Sequence, residues 1–230
     1  MFQKYVILFF SGGIIGLDTT AAWQMLISHP LISSTLIGWI FGDLPFGLFF
    51  GLTMELIWLK DIPVGGAKLP EGNIGSFVGV STVLFAQPQG ALNQPWVVFG
   101  GFLYAFLIAY LAGFTVLQMR RNNQILAKWA DHFAVKGSSS GVAWMHRLGI
   151  VHAFFHGAIW TVVAAWLGAR GLNEFALWTR DWGHLTLFGL KYTLLGMGIG
   201  IVGYYHTSKK NYPILFAGIV IGLLIGWLWG

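Results

Sequence analysis

Apolar runs separated by short polar breaks make up most of the chain, and the length of each run decides what it can become. Residues 5–17 are uncharged and follow Lys4. They resemble the core of a signal peptide, but the run meets Asp18 without a clear small-residue cleavage site and the apolar pattern then resumes, so a retained first helix is expected. Residues 19–42 carry Trp23, Gln24, Ser28, His29 and Pro30 in their first half and turn strongly apolar only from Leu31. A spanning helix needs about 20 apolar residues, so residues 31–41 are too short to cross alone and predict one arm of a re-entrant hairpin or broken helix. Residues 44–59 form a second short apolar segment with Glu55 inside it, and residues 60–71, KDIPVGGAKLPE, are polar and turn-rich. Irregular backbone survives at membrane depth only where protein buries it or water reaches it. Short apolar segments broken by glycine and proline therefore point to a transport site.

Residues 72–119 hold no charge, and QPQGALNQP at 87–95 divides them into two arms, of which 96–119 is a full-length span. Residues 120–147 then carry Arg120, Arg121, Lys128, Lys136 and Arg147 against Asp131 alone. Within them Ile125, Leu126, Trp129, Ala130, Phe133 and Ala134 recur at helical spacing, which predicts an amphipathic helix lying along the membrane surface, with a partner-docking helix as the other reading. Three further spans are expected at 148–169, 185–205 and 213–229. Loop 171–184 is close to charge balance, whereas the loop after Tyr205 holds Lys209 and Lys210. Basic loops stay in the cytoplasm, so 120–147 and 206–212 are placed inside and 171–184 and the C-terminus outside. Glycines recur four apart at 12/16, 38/42, 47/51, 75/79 and 218/222/226, a spacing that lets helix backbones approach closely in lipid.

Composition confirms the class. With 56% hydrophobic and 9% charged residues, against about 25% charged in soluble domains, the chain is expected to be an all-α polytopic membrane protein, one bilayer-embedded domain over residues 1–230. Twelve tryptophans suit repeated membrane interfaces, where the indole ring is apolar and its N–H is wet. The net charge of +5 reads as topology and not as a nucleic-acid footprint, given a mean hydropathy of +0.70. Without cysteine there is no disulfide, thiolate nucleophile or Cys-ligated metal, and without G-x-x-x-x-G-K-[ST] no ATP hydrolysis by this chain is expected. His152 and His156 stand four apart as zinc ligands can, but H-E-x-x-H and a third ligand are lacking. Hydrogen bonds within the bundle are the better expectation for them, and neither metal nor cofactor is anticipated.

Charge is costly at mid-membrane, about 2.5–3.5 kcal/mol on insertion scales, so the acids of the first third stand out. Asp18, Asp43 and Glu55 lie in or beside apolar segments with no basic residue nearer than Lys60 on that side. Asp43 follows Gly42 and precedes Leu44-Pro45, the pattern of a helix cap. Glu55 is either a ligand group facing a cavity or a carboxyl, protonated or bonded to backbone, that packs helices. Asp18 with Gln24 offers the acceptors and donors a polyhydroxylated solute needs. Trp23 or Trp58 has a ring face for a sugar, with core or lipid packing as the plainer alternative. His29, before Pro30, reads as a turn residue.

The stretch SHPLISSTLIGWIFGDLPFGLFFGLTMELIWLKDIPVGGAKLPE, residues 28–71, resembles the IIC subunit of mannose/fructose/sorbose-family phosphotransferase systems. The features that carry the likeness are Pro30 leading to Gly42-Asp43, the helix with Gly47, Gly51 and Glu55, the turn Gly65-Gly66-Ala67, and Pro70-Glu71; AWMHRLGI and YPILFAGIVIGLL match more loosely. The resemblance implies an inverted-repeat, elevator-type permease of the bacterial inner membrane, in which residues 18–90 bind a hexose or amino sugar and 120–147 form a cytoplasmic amphipathic loop. It implies an oligomer with a IID membrane subunit and cytoplasmic IIA and IIB components, IIB passing a phosphoryl group to the sugar. Gln24, Glu55, Asp18 and Glu71 become candidate sugar contacts, with Asp43, Gly65, Gly66 and Pro70 in structural roles. Pro63 and Lys60-Asp61 depart from the family pattern, which leaves room for altered specificity or a subunit that has lost its sugar. A proton-coupled carrier titrating Asp18 or Glu55 is the remaining alternative.

Overall fold

The computed structural model describes residues 2–59, 70–86, 95–180, 182 and 187–205, with isolated positions at 210, 212–213, 216–217 and 220. These residues form helices α1 (Phe2–Thr20), α2 (Pro30–Phe41), α3 (Leu44–Trp58), α4 (Gly72–Phe85), α5 (Pro95–Val135), α6 (Ser139–Trp178) and α7 (Leu187–Tyr205). The chain is all-α, and α5 and α6 are long and apolar enough to cross a membrane.

Local chemistry sets the α2–α3 hairpin. Pro30 occupies the first turn of α2, where its missing N–H costs nothing. Gly42, at φ 89, closes the helix: its N–H donates to Trp39 O and that of Asp43 to Gly38 O at 2.8 Å, a Schellman motif that requires the left-handed residue. Asp43 turns at once into the N-cap of α3, its Oδ1 accepting from Phe46 N at 3.0 Å. Two residues thus join two antiparallel helices about 18 and 22 Å long, each short of the roughly 30 Å hydrocarbon core. The hairpin closes backbone to backbone. A β-carbon on Gly47 would stand 2.5 Å from Ser34 O and 2.8 Å from Gly38 Cα, and one on Gly51 2.6 Å from Pro30 O.

The same device joins α1 to α6, where a β-carbon on Gly16 would meet Ala153 O and Gly157 Cα at 2.9 Å. It also joins α4 to α5, where one on Gly75 would meet Ala105 O at 2.6 Å. Gly42 is the exception among the spaced glycines, serving as a cap, and the 218/222/226 series lies outside the described residues. Helix α4 is the hub: every residue from Gly72 to Leu84 is buried, enclosed by α2, α3, α5 and α6. The apolar centre packs Phe50 on Phe102, stacked at 4.1 Å between centroids, with Phe77, Ile74 and Met54 fully enclosed nearby.

Two sequence expectations are corrected. No separate surface-lying helix begins at Arg120; α5 runs unbroken to Val135, because neither glycine nor proline intervenes between Gly113 and Gly137 and the onset of charge does not break a helix. At about 61 Å α5 outlasts the hydrocarbon and continues into an arm that returns through Ser138, which caps α6 by accepting from Gly141 N. None of residues 120–152 is buried. Likewise the expected loop at 171–184 is helical as far as Trp178, since its leucine, alanine and glutamate favour helix and no proline stops it. Most of the expected span at 213–229 lies outside the described residues.

Candidate functional site

The amide of Glu71 locates the site in depth. It donates to Ala109 O at 2.8 Å, and Ala109 lies about 20 Å along α5 from Trp96 and about 15 Å before Met119. The N-terminus of α4 therefore opens near the middle of the apolar span. The C-terminal end of α1, the start of α2 and the end of α3 meet it there through a chain of side-chain bonds.

Asp18, 3% exposed, is the first member. Its Oδ1 accepts from Met25 N at 2.6 Å and its Oδ2 from Ser28 N at 2.8 Å, so the carboxylate is spent on folding residues 21–28 into a strap. That strap places three non-glycine residues in the left-handed region, Trp23 (φ 68), Gln24 (φ 50) and Leu26 (φ 67), each of them costly. Ser28 Oγ accepts in turn from Asn73 Nδ2 of α4 at 3.1 Å, tying strap to hub.

Glu55 is the second anchor. From α3 it reaches across the hairpin, its Oε1 2.8 Å from His29 Nδ1 and its Oε2 accepting from Leu31 N at 3.2 Å. His29 gives α2 no side-chain cap of its own, and the carboxylate of Glu55 supplies the missing acceptor at the positive end of the helix. One turn further on, Trp58 Nε1 donates to Ser76 Oγ at 3.2 Å, and Ser76 Oγ donates to Gly72 O at 2.7 Å. The indole packs on Gly72, where a β-carbon would stand 2.6 Å from the ring, and against Phe106.

Asp18 is thus compensated by two backbone N–H groups, and Glu55 by one backbone N–H together with the His29 ring. A carboxylate with two such donors has much of its lost hydration replaced. The residues expected at the site divide accordingly. Asp18, Glu55 and Glu71 converge on it, Glu71 1% exposed and Pro70 in the bend before it. Gln24 is not paired with Asp18: it sits exposed on the strap, and the acid is consumed by Met25 and Ser28. Asp43 caps α3 at the far end of the hairpin. Gly65, Gly66, Pro63 and Lys60-Asp61 lie outside the described residues. Trp58 is committed to the core, whereas Trp23 is 61% exposed and keeps a free face. His152 bonds Asn123 Oδ1 at 2.8 Å between α6 and α5.

Sequence reasoning missed Ser28, His29 and Asn73 as members. Asn73 carried a signal, an amide in the first turn of an otherwise apolar helix. What remains open to a solute is the His29 ring, 41% exposed, with the partly exposed Glu55 behind it, and the exposed side chains of Trp23 and Gln24, held at the ends of broken helices. Such a set suits neutral, hydroxyl-rich ligands, with apolar stacking and paired donors and acceptors.

Comparison with known proteins bears on this geometry. The family model described as PTS system sorbose-specific IIC component matches residues 2–227. The fructose permease IIC component of Bacillus subtilis (strain 168) is 27% identical over 86% of this chain and 69% of its own length. The mannose-specific EIIC component of Escherichia coli (strain K12) is 24% identical over 84% and 70%. Two solved structures align with the whole chain and 95% of their own at 20% identity: one described as a membrane protein, with a TM-score of 0.70, and the mannose transporter ManYZ complexed with microcin E492, at 0.64. At that identity they attest the fold.

Proposed function

The chain belongs to the PTS sorbose-specific IIC component family, and on that premise we propose that it is a multi-pass, sugar-translocating subunit that binds a hexose or amino sugar among α1, α2, α3 and α4 at mid-membrane depth. The observation that carries this is the junction of Asp18, Ser28, Asn73, His29 and Glu55 at the level of Ala109. Broken helix ends at the midplane are where carriers hold solutes. The relatives include fructose, mannose, sorbose and N-acetylgalactosamine components, which supports the substrate class.

Movement is assigned as elevator-like, on the family resemblance, with α1, α2, α3 and α4 travelling together, since the Asp18–Ser28, Asn73–Ser28 and His29–Glu55 bonds tie them at the site. A IID membrane subunit would complete the permease in the bacterial inner membrane. Cytoplasmic IIA and IIB components would supply the chemistry: a phosphoryl group leaves a histidine of IIB for a hydroxyl of the arriving sugar, which gives up its proton. In this division of labour the chain binds, orients and releases the sugar.

Uptake of labelled sugar by vesicles carrying this chain with IID, IIB and IIA tests the reading. Accumulation as sugar phosphate that requires IIB loaded beforehand with its phosphoryl group is expected. Accumulation of unmodified sugar driven by a pH gradient would replace the account with a proton-coupled carrier.

A further inference from the structure

Resting on the reading that this chain binds a sugar, we propose that His29 is a specificity-determining contact for one sugar hydroxyl, and that Glu55 acts through it as a positioning residue. A carboxylate only accepts hydrogen bonds, so the ring nitrogen 2.8 Å from Glu55 Oε1, Nδ1, carries the proton. In the neutral ring that leaves Nε2 as an acceptor lone pair. The side chain of His29 is 41% exposed while that of Glu55 is 19% exposed, so the acceptor edge of the ring is open and the charge behind it is sheltered.

The ring is fixed from three sides. Its backbone is held extended at φ −59 and ψ 139, as a residue before proline must be. Ser28, immediately before it, is locked to Asp18 and Asn73. The second oxygen of Glu55 is tied to Leu31 N, so the carboxylate cannot swing away without uncapping α2. This is the arrangement in which a recognising imidazole takes its tautomer and orientation from a carboxylate behind it. Gln24, by contrast, sits on the exposed strap with no comparable support. His29 is therefore the group best prepared to distinguish a sugar that offers a hydroxyl at one position from one that does not. A site that pairs a hydroxyl rejects the analogue lacking it, because its own group is then left unpaired.

Calorimetric binding to the purified protein in nanodiscs tests this, with D-mannose, D-fructose, L-sorbose and N-acetylgalactosamine as probes, followed by monodeoxy analogues of whichever binds. On the wild type, one monodeoxy analogue should bind about 2- to 13-fold more weakly than its parent, the worth of one neutral hydrogen bond. His29→Ala should bind parent and analogue alike. His29→Gln, which keeps an acceptor, should recover part of the difference. Glu55→Gln, whose amide can donate to Nδ1 and so favour the other tautomer, should lose discrimination at that hydroxyl alone and keep the wild-type preferences at the others. A wild-type deoxy profile in folded His29→Ala or in Glu55→Gln overturns the proposal, as does a wild type indifferent to every deoxy analogue. Failure of the wild type to bind any of the four sugars would instead strike at the proposed function.

Discussion

Asp18→Asn should release the strap without unfolding the protein. The wild-type carboxylate accepts from Met25 N at 2.6 Å and Ser28 N at 2.8 Å; hydrogen bonds to a charged acceptor are each worth about 1.5–3 kcal/mol. Against this stands the cost of three left-handed residues, Trp23, Gln24 and Leu26, at about 1–2 kcal/mol each. The two sums are of similar size, about 3–6 kcal/mol, so the Asp18 bonds offset the left-handed cost, and the Asn73–Ser28 bond and the turn bonds of the strap keep it closed. Asparagine keeps one acceptor and turns an N–H₂ donor toward the other amide. Losing one bond makes opening about 10- to 150-fold more frequent. Hydrogen exchange followed by mass spectrometry in nanodiscs should show that acceleration in peptides covering residues 21–28, with α4 and α5 unchanged. Unaltered protection of the Met25 and Ser28 amides in a folded Asp18→Asn protein would refute the reasoning, and so would a loss spread evenly over all helices.

Leu26→Gly removes one left-handed penalty, about 1 kcal/mol, and should restore roughly a third to two thirds of the protection free energy lost in Asp18→Asn, by the same exchange measurement. Gly47→Ala drives a β-carbon to 2.5 Å from Ser34 O, which is backbone and cannot step aside; a loss of about 1–3 kcal/mol should lower the unfolding midpoint in detergent. Gly149→Ala, with nothing within 4 Å of the added carbon, should be neutral or slightly stabilising by the same measurement. The chain has no cysteine, so spin labels can be placed directly at Leu107→Cys and Lys128→Cys. A continuous α5 predicts about 32 Å between their backbones by pulsed dipolar spectroscopy, whereas a helix turned flat onto the membrane at Arg120 gives about 23 Å.

What could be read along the chain was what local chemistry decides. The α2–α3 hairpin was legible because Pro30, Gly42 and Asp43 punctuate it within their own turns and because length alone disqualifies each arm from crossing. Asp18 and Glu55 stood out because isolated charge in apolar sequence is expensive. Their partners were not legible. Met25 and Ser28 lie seven and ten residues from Asp18, Leu31 lies twenty-four from Glu55, and Asn73 lies forty-five from Ser28; each bond exists only once the helices are packed. For the same reason His29, a turn residue by sequence, proves to be the ring that Glu55 contacts. The long arm was missed for a different reason: charge marks where a helix leaves lipid, but only glycine, proline or a cap marks where it stops.

Cryo-electron microscopy of the protein in nanodiscs, with and without a saturating probe sugar, addresses the central claim most directly. The account predicts added density at mid-membrane depth, bounded by His29, Glu55, Asn73 and the ring of Trp23. Sugar density elsewhere, such as in the apolar groove where Leu103, Tyr104 and Leu107 of α5 face Trp160, Val163 and Leu167 of α6, would contradict it.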